Sequence, residues 1–230
     1  MKPAYVIAAD DFGLRPACNE RILALVSEGL IDRVGIMTDG AVSETESATL
    51  VRSGVLLDIH LDFDTVKSSQ KSSKGNPWSR GFRFVFDFLF GRLRPSMVRR
   101  EWTRQLEAFK VRFGRYPDGI NSHEHLHFFP PYFFIAASLA RERGIPYIRF
   151  GSVGILKSSN LVSIILRVLR VFDRRSFERS LLRSSSVLAS LDWIPNPETP
   201  AYTGTGEIEL VTHPERAEET DAIRIFRNAH

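Results

Sequence analysis

Short apolar runs, each stopped by a polar residue or a turn and most followed by a stretch of helical spacing, recur along this chain. Tyr5 to Ala9 runs into Asp10, Asp11 and Gly13, and Pro16 then opens a helical pattern that closes at Gly29. Val34 to Met37 reads as a second strand, Ser43 to Ser53 as a helix ending near Gly54, and Val55 to Ile59 as a third strand that stops at His60. Met97 to Phe113 has helical periodicity through Trp102, Leu106, Phe109 and Phe113, and Gly114 to Pro117 ends it before a strand at Gly119 to Ser122. Pro130 and Pro131 start a helix that runs to Gly144, and Pro146 to Phe150 reads as strand. Residues 152 to 200 read as helix and loop broken by Pro195, Pro197 and Pro200, before a last strand, Glu207 to Thr212, that ends at His213-Pro214. Strands joined through helices lie parallel, and a parallel sheet is covered on both faces. The alternation therefore predicts an α/β chain, and 230 residues suit a single (β/α) barrel domain over residues 1–230, without linker or internal repeat.

In such folds ligands gather at the carboxyl ends of the strands. Asp10 and Asp11, His60, His123, Arg149 and His213 all stand at ends of predicted strands, and five of the six histidines fall at or just after such ends. That clustering outlines a metal site. A hydrolytic metal site needs hard or borderline ligands, an open position for water and a base to take that water's proton. One carboxylate and two imidazoles supply the ligands. Adjacent aspartates leaving a strand point in different directions, so one can bind metal while the other serves as base. A lone aspartate here would as readily cap the helix near Pro16, but the pair beside a histidine cluster favours the site.

If extended, His123-Glu124-His125-Leu126-His127 places its three histidines on one face. Any one of them alone reads better as a histidine bonded to carbonyls; three at period two favour a site. His213, held rigidly before Pro214, suits a general acid over the same end of the barrel. Arg149 suits orienting a carboxylate, anchoring substrate oxygens or a structural ion pair. Lys67 to Pro77, rich in Ser, Lys, Gly and Asn, reads as a mobile loop beside the His60 strand end, where it would cover the site.

Net charge is +4 and the isoelectric point is near 9.4, with the excess in Arg92–Arg115 and Arg167–Arg183. Neither segment carries a nucleic-acid motif, so no nucleic acid is expected; an anionic substrate or a membrane surface fits the charge better. Leu161 to Arg170 is too short to span a bilayer though able to lie on one, and we read it as a core-packed helix with snorkelling arginines. Cys18 is the one cysteine, which excludes a disulfide framework or thiolate cluster and fits a reducing cytoplasm. The Asp10-Asp11 pair interrupts any signal-peptide core, so a cytoplasmic protein is expected. A homodimer is compatible with all of this.

Ala9-Asp10-Asp11-Phe12-Gly13 with Asn19, Ile59-His60-Leu61, Ser122-His123-Glu124-His125-Leu126-His127-Phe128-Phe129-Pro130, Gly144-Ile145 to Arg149, and Thr212-His213-Pro214 together resemble the YdjC/ChbG family of carbohydrate deacetylases. The order and spacing cover nearly the whole chain. The resemblance implies a distorted (β/α) barrel like that of polysaccharide deacetylases, one divalent metal ion, Mg2+ or Zn2+, and removal of an N-acetyl or N-formyl group from an amino sugar, oligosaccharide or glycolipid. Carried over by position, it implies Asp11, His60 and His123 as metal ligands, Asp10 as base and His213 as the acid for the leaving amine. His125, His127, Arg149 and Asn121 would line the site or support it. Asn121 stands where the family commonly has aspartate, and Asp58 where glycine is usual. The competing readings are a metal-dependent phosphoesterase, which would require a second metal and more carboxylates, and a sugar-binding module without catalysis, which the intact Asp10-Asp11 pair disfavours.

Overall fold

Nine residues from Ala4 to Phe12 form β1, and its last six are buried because a strand lies on either side of it. The computed structural model describes residues 4–63, 94–196, 198, 202 and 204–230; the Lys67–Pro77 segment lies outside them. In chain order after β1 come α1 (Pro16–Ser27), β2 (Arg33–Ile36), α2 (Glu44–Ser53), β3 (Leu56–Leu61), α3 (Pro95–Phe113) and β4 (Gly119–Ser122). A 3-10 turn follows at His123–Phe128, then α4 (Pro130–Arg143), β5 (Tyr147–Ile148), β6 (Gly154–Ile155), α5 (Leu161–Ser180) and β7 (Val187–Ser190). A short 3-10 turn (Leu191–Trp193), β8 (Glu207–Thr212) and α6 (Ala217–Ala229) complete the order.

The strands form one parallel sheet in the order β5-β4-β3-β2-β1-β8-β7-β6. Its two arms meet: Tyr147 in β5 bridges Arg183 in the segment entering β7, with Ile148 N donating to Arg183 O at 3.0 Å and Arg183 N donating to Pro146 O at 2.9 Å. That junction curls the sheet into a distorted (β/α) barrel, with β6 beyond it and paired, among the described residues, with β7 alone. The expected α/β barrel is the fold found.

Helix boundaries follow local chemistry. Both α3 and α4 start on proline, whose fixed φ suits a first turn, and end at Gly114 (φ 73°) and Gly144 (φ 68°), where the left-handed cap is cheapest without a Cβ. The start of α2 is a capping box, Ser43 and Glu46 each bonding the other's backbone N–H. Trp102 of α3 is fully buried, stacked on Phe63 at 5.6 Å and edge-on to Tyr132 of α4 at 6.0 Å, which fastens these helices over β3 and β4.

Three expectations change. Pairing in β5 covers only Tyr147–Ile148, not Pro146 to Phe150. The stretch read as helix and loop contains β7, four wholly buried residues whose run has no polar alternation to mark it. The helix begun at Leu161 continues to Ser180, and only Ser163, Leu166, Asp173 and Ser180 on it are buried. Core packing therefore describes its inner side alone, and Ile164, Ile165, Val168, Val171 and Phe172 are exposed.

Candidate metal centre

Regular strand geometry would send Asp10 and Asp11 to opposite faces of the sheet. Here β1 bulges between Ala9 and Phe12 in its pairing with β2, and Asp11 takes a left-handed φ of 68°. The bulge re-aims the pair so that both carboxylates serve the carboxyl end of the barrel from different directions. The loop beyond is tied by Asn19, whose Oδ1 accepts from Gly13 N at 2.6 Å while its Nδ2 donates to Ala41 O at 2.7 Å. Asn19 was visible only as part of a motif; its work is to hold this turn.

Asp11 Oδ1 lies 2.8 Å from His123 Nδ1 and 3.2 Å from His60 Nε2, and one donor atom from each of these three residues lies within 4.8 Å of the others. His60 comes from β3 and His123 directly follows β4. Asn121, also on β4, accepts from His60 Nδ1–H through its Oδ1 at 2.5 Å. With the proton on Nδ1, the Nε2 lone pair of His60 faces the Asp11 oxygen, a contact that needs a proton or a cation between the two atoms. Burial alone would lower the pKa of His123, but the Asp11 carboxylate beside it overrides this and raises it to about 9. One carboxylate and two imidazoles converging in this way fit a divalent cation, which would take the place of those protons as the partner of Asp11.

Asp10 has a different main partner, although its Oδ2 also lies 3.9 Å from His60 Nδ1. Burial alone would raise its pKa, but the charge and hydrogen bonds of Arg149 hold it down at about 2, so it is ionised. Arg149 Nη1 and Nη2 donate to its two oxygens at 2.5 and 2.9 Å. Arg149 is itself fully buried, and its Nε donates to Glu209 Oε1 at 2.7 Å. Of the three roles open to Arg149, this geometry matches orienting a carboxylate. The clamp fixes Asp10 in direction at some cost in basicity. Gly35 on β2 leaves room for the arrangement, since a Cβ there would come within 2.6 Å of Asp10 Oδ1.

The histidine run is not extended. Glu124 and His125 both take left-handed φ, 51° and 55°, so the chain turns back after Ser122 and the period-two face does not form. His123 points to Asp11, as one of the three candidate donors. His127 goes beneath them, wholly buried, its Nδ1 accepting from Ser122 Oγ at 2.7 Å and its Nε2 donating to the Arg149 carbonyl at 2.9 Å. Burial lowers its pKa to about 3, and it acts as a neutral strut between the ends of β4 and β5. His125 is half-buried and its Nδ1 has no hydrogen-bond partner; burial and the nearby Arg149 charge push its pKa well below the usual imidazole range. His213 follows β8, half-buried, its backbone N–H donating to Glu219 Oε2 at 2.6 Å and its Nδ1 3.9 Å from the same oxygen. His213 interacts electrostatically with both Asp10 and His125, so it stands on their side of the barrel end.

The chain matches a family model described as YdjC-like protein over residues 5–225. A chitooligosaccharide deacetylase of Salmonella paratyphi B is 26% identical over 224 residues, covering 93% of this chain and 82% of that protein. A chitooligosaccharide deacetylase of Escherichia fergusonii is 28% identical over 148 residues, 63% of this chain and 58% of that protein. Among solved structures, one from Enterococcus faecalis V583, provisionally described as a cellobiose-phosphate cleavage protein, matches with a TM-score of 0.67 at 17% identity, covering 100% of this chain and 94% of that one. At that identity the likeness shows the fold alone.

Proposed function

The chain belongs to the YdjC-like family, and on that premise we propose that it is a carbohydrate deacetylase, a metal-dependent hydrolase that removes an N-acetyl or N-formyl group from an amino sugar, oligosaccharide or glycolipid. The names of its relatives make a chitooligosaccharide the first substrate to try. The observation that carries the reading is the convergence of Asp11, His60 and His123 donors beside an ionised, arginine-clamped Asp10.

In this reading Asp11, His60 and His123 would hold one divalent ion, which would supply Lewis-acid chemistry for the amide carbonyl and the attacking water. Asp10 takes the proton of that water as it attacks the carbonyl carbon, with Arg149 keeping the carboxylate aimed. The C–N bond then breaks as His213 gives a proton to the departing nitrogen, leaving acetate or formate and a free amine. His125 offers a neutral imidazole to the site wall, Asn121 keeps His60 in its metal-binding tautomer, and His127 holds the Arg149 backbone in place. Two imidazoles and a carboxylate suit zinc or another first-row ion by softness, and magnesium by the carboxylate alone.

The test is release of acetate from N-acetylglucosamine oligomers, with and without a chelator. Acetate that appears, stops on chelation and returns with added divalent metal supports the proposal. Phosphate release from sugar phosphates in place of acetate would favour a phosphoesterase, and tight sugar binding with no product a binding module.

A further inference from the structure

We propose that the outward face of α5 is a docking surface for an anionic phospholipid bilayer. Leu161, Ile164, Ile165, Val168, Val171 and Phe172 are each between 38% and 70% exposed, and at helical spacing they form one stripe on the side away from the buried Ser163, Leu166 and Asp173. A helix whose core is already served from its inner side gains nothing from six large apolar groups in water. The charges around the stripe select the occupant. Arg167, Arg174, Arg175 and Arg179 are exposed on the same helix; its only exposed acid, Glu178, is taken by Arg174 at 2.9 Å. Arg170 is turned inward onto the carbonyls of Gly151 and Ser152. Face-to-face pairing of two copies would bring Arg167, Arg175 and Arg179 toward their counterparts with the helix's one exposed carboxylate already held by Arg174, whereas an anionic headgroup layer neutralises these three while the stripe enters the acyl boundary.

Among the described residues no helix is long and apolar enough to cross a membrane, so the contact is peripheral. The first turn of α5 follows the carboxyl end of β6 and the helix packs on the turn that carries His123, so the docked helix brings the site-bearing rim beside the bilayer. The inference is independent of the deacetylase proposal, because none of these side chains belongs to the candidate site.

The test is flotation of the full-length protein with vesicles of phosphatidylcholine alone and of phosphatidylcholine mixed with phosphatidylglycerol. Binding to the anionic vesicles at low salt is expected, weakening about fivefold for each of Arg175→Ala and Arg179→Ala. A Val168→Glu/Phe172→Glu double variant should lose roughly tenfold or more of its binding while keeping its circular dichroism spectrum. If that variant fails to fold, Val168→Ser/Phe172→Ser replaces it with the same expectation. No flotation of the wild type, equal flotation with both lipid mixtures, or unchanged binding in the double variant would overturn the proposal. So would a wild-type dimer, without vesicle binding, that the double variant converts to monomer.

Discussion

Asp10 and Asp11 are adjacent in the chain yet meet opposite partners, a guanidinium for one and two imidazoles for the other. The division of labour proposed for them rests on those partners. Asp10→Asn keeps the shape of the side chain but cannot accept a proton, so it should retain metal and lose most turnover; Asp11→Asn should lose both. Metal content and acetate release measured on the same preparations check this, and the reverse pattern would exchange the two roles. His213 stands apart from the metal donors, so His213→Ala should leave metal content intact and lower turnover about 100-fold to 10,000-fold, the range typical of a proton donor. The loss should shrink for an activated ester whose leaving group needs no proton. An equal proportional defect on amide and ester would make His213 a positioning residue.

Helix α5 carries a second testable feature on its inner side. Burial raises the pKa of Asp173 from 3.8 to about 8, and its Oδ2 has no hydrogen-bond partner. The folded chain thus holds a proton there that the unfolded chain releases near pH 4, so stability falls as pH rises from about 4 through about 8, by on the order of a few kcal/mol. Asp173→Asn should flatten this dependence and raise the melting temperature at pH 8 relative to pH 5; parallel melting profiles for the two proteins would contradict it. The elements themselves were largely legible in the sequence. Proline starts and glycine stops mark α3 and α4, and polar residues ending apolar runs mark the strand ends that bear Asp10, Asp11, His60 and His213. The turn at Glu124-His125 was not legible, because neither residue is a glycine and no local pattern announces two left-handed residues in a row. Its consequence, His127 as a buried strut, was hidden with it. Glu209 was missed despite a signal: a carboxylate inside the apolar run Ile208-Glu209-Leu210-Val211 implies a buried cationic partner, here Arg149.

Through the barrel interior these partners join into a chain that runs away from the site. Asp10, Arg149 and Glu209 connect through the Tyr147 hydroxyl, which donates to Glu209 at 2.5 Å, to Arg33, whose guanidinium lies 4.0 Å over the Tyr147 ring and donates twice to Asp58 at 2.8 and 2.6 Å. Arg33 balances the buried Asp58 carboxylate, and Gly119 leaves the space for both. Removing one partner strands a buried charge, so Arg33→Met should cost about 3–5 kcal/mol, while Arg33→Met/Asp58→Leu should recover much of it. Denaturant midpoints measure both, and a double variant no better than the single would argue against a simple pair. The candidate metal donors lie beyond the Asp10 end of this network and should be untouched by either change. Elemental analysis of the metal-loaded wild type, His60→Ala and His123→Ala tests whether Asp11, His60 and His123 form a metal centre. About one divalent ion per wild-type chain is expected, with most of it lost in both folded variants. The same metal content in all three proteins would contradict that assignment.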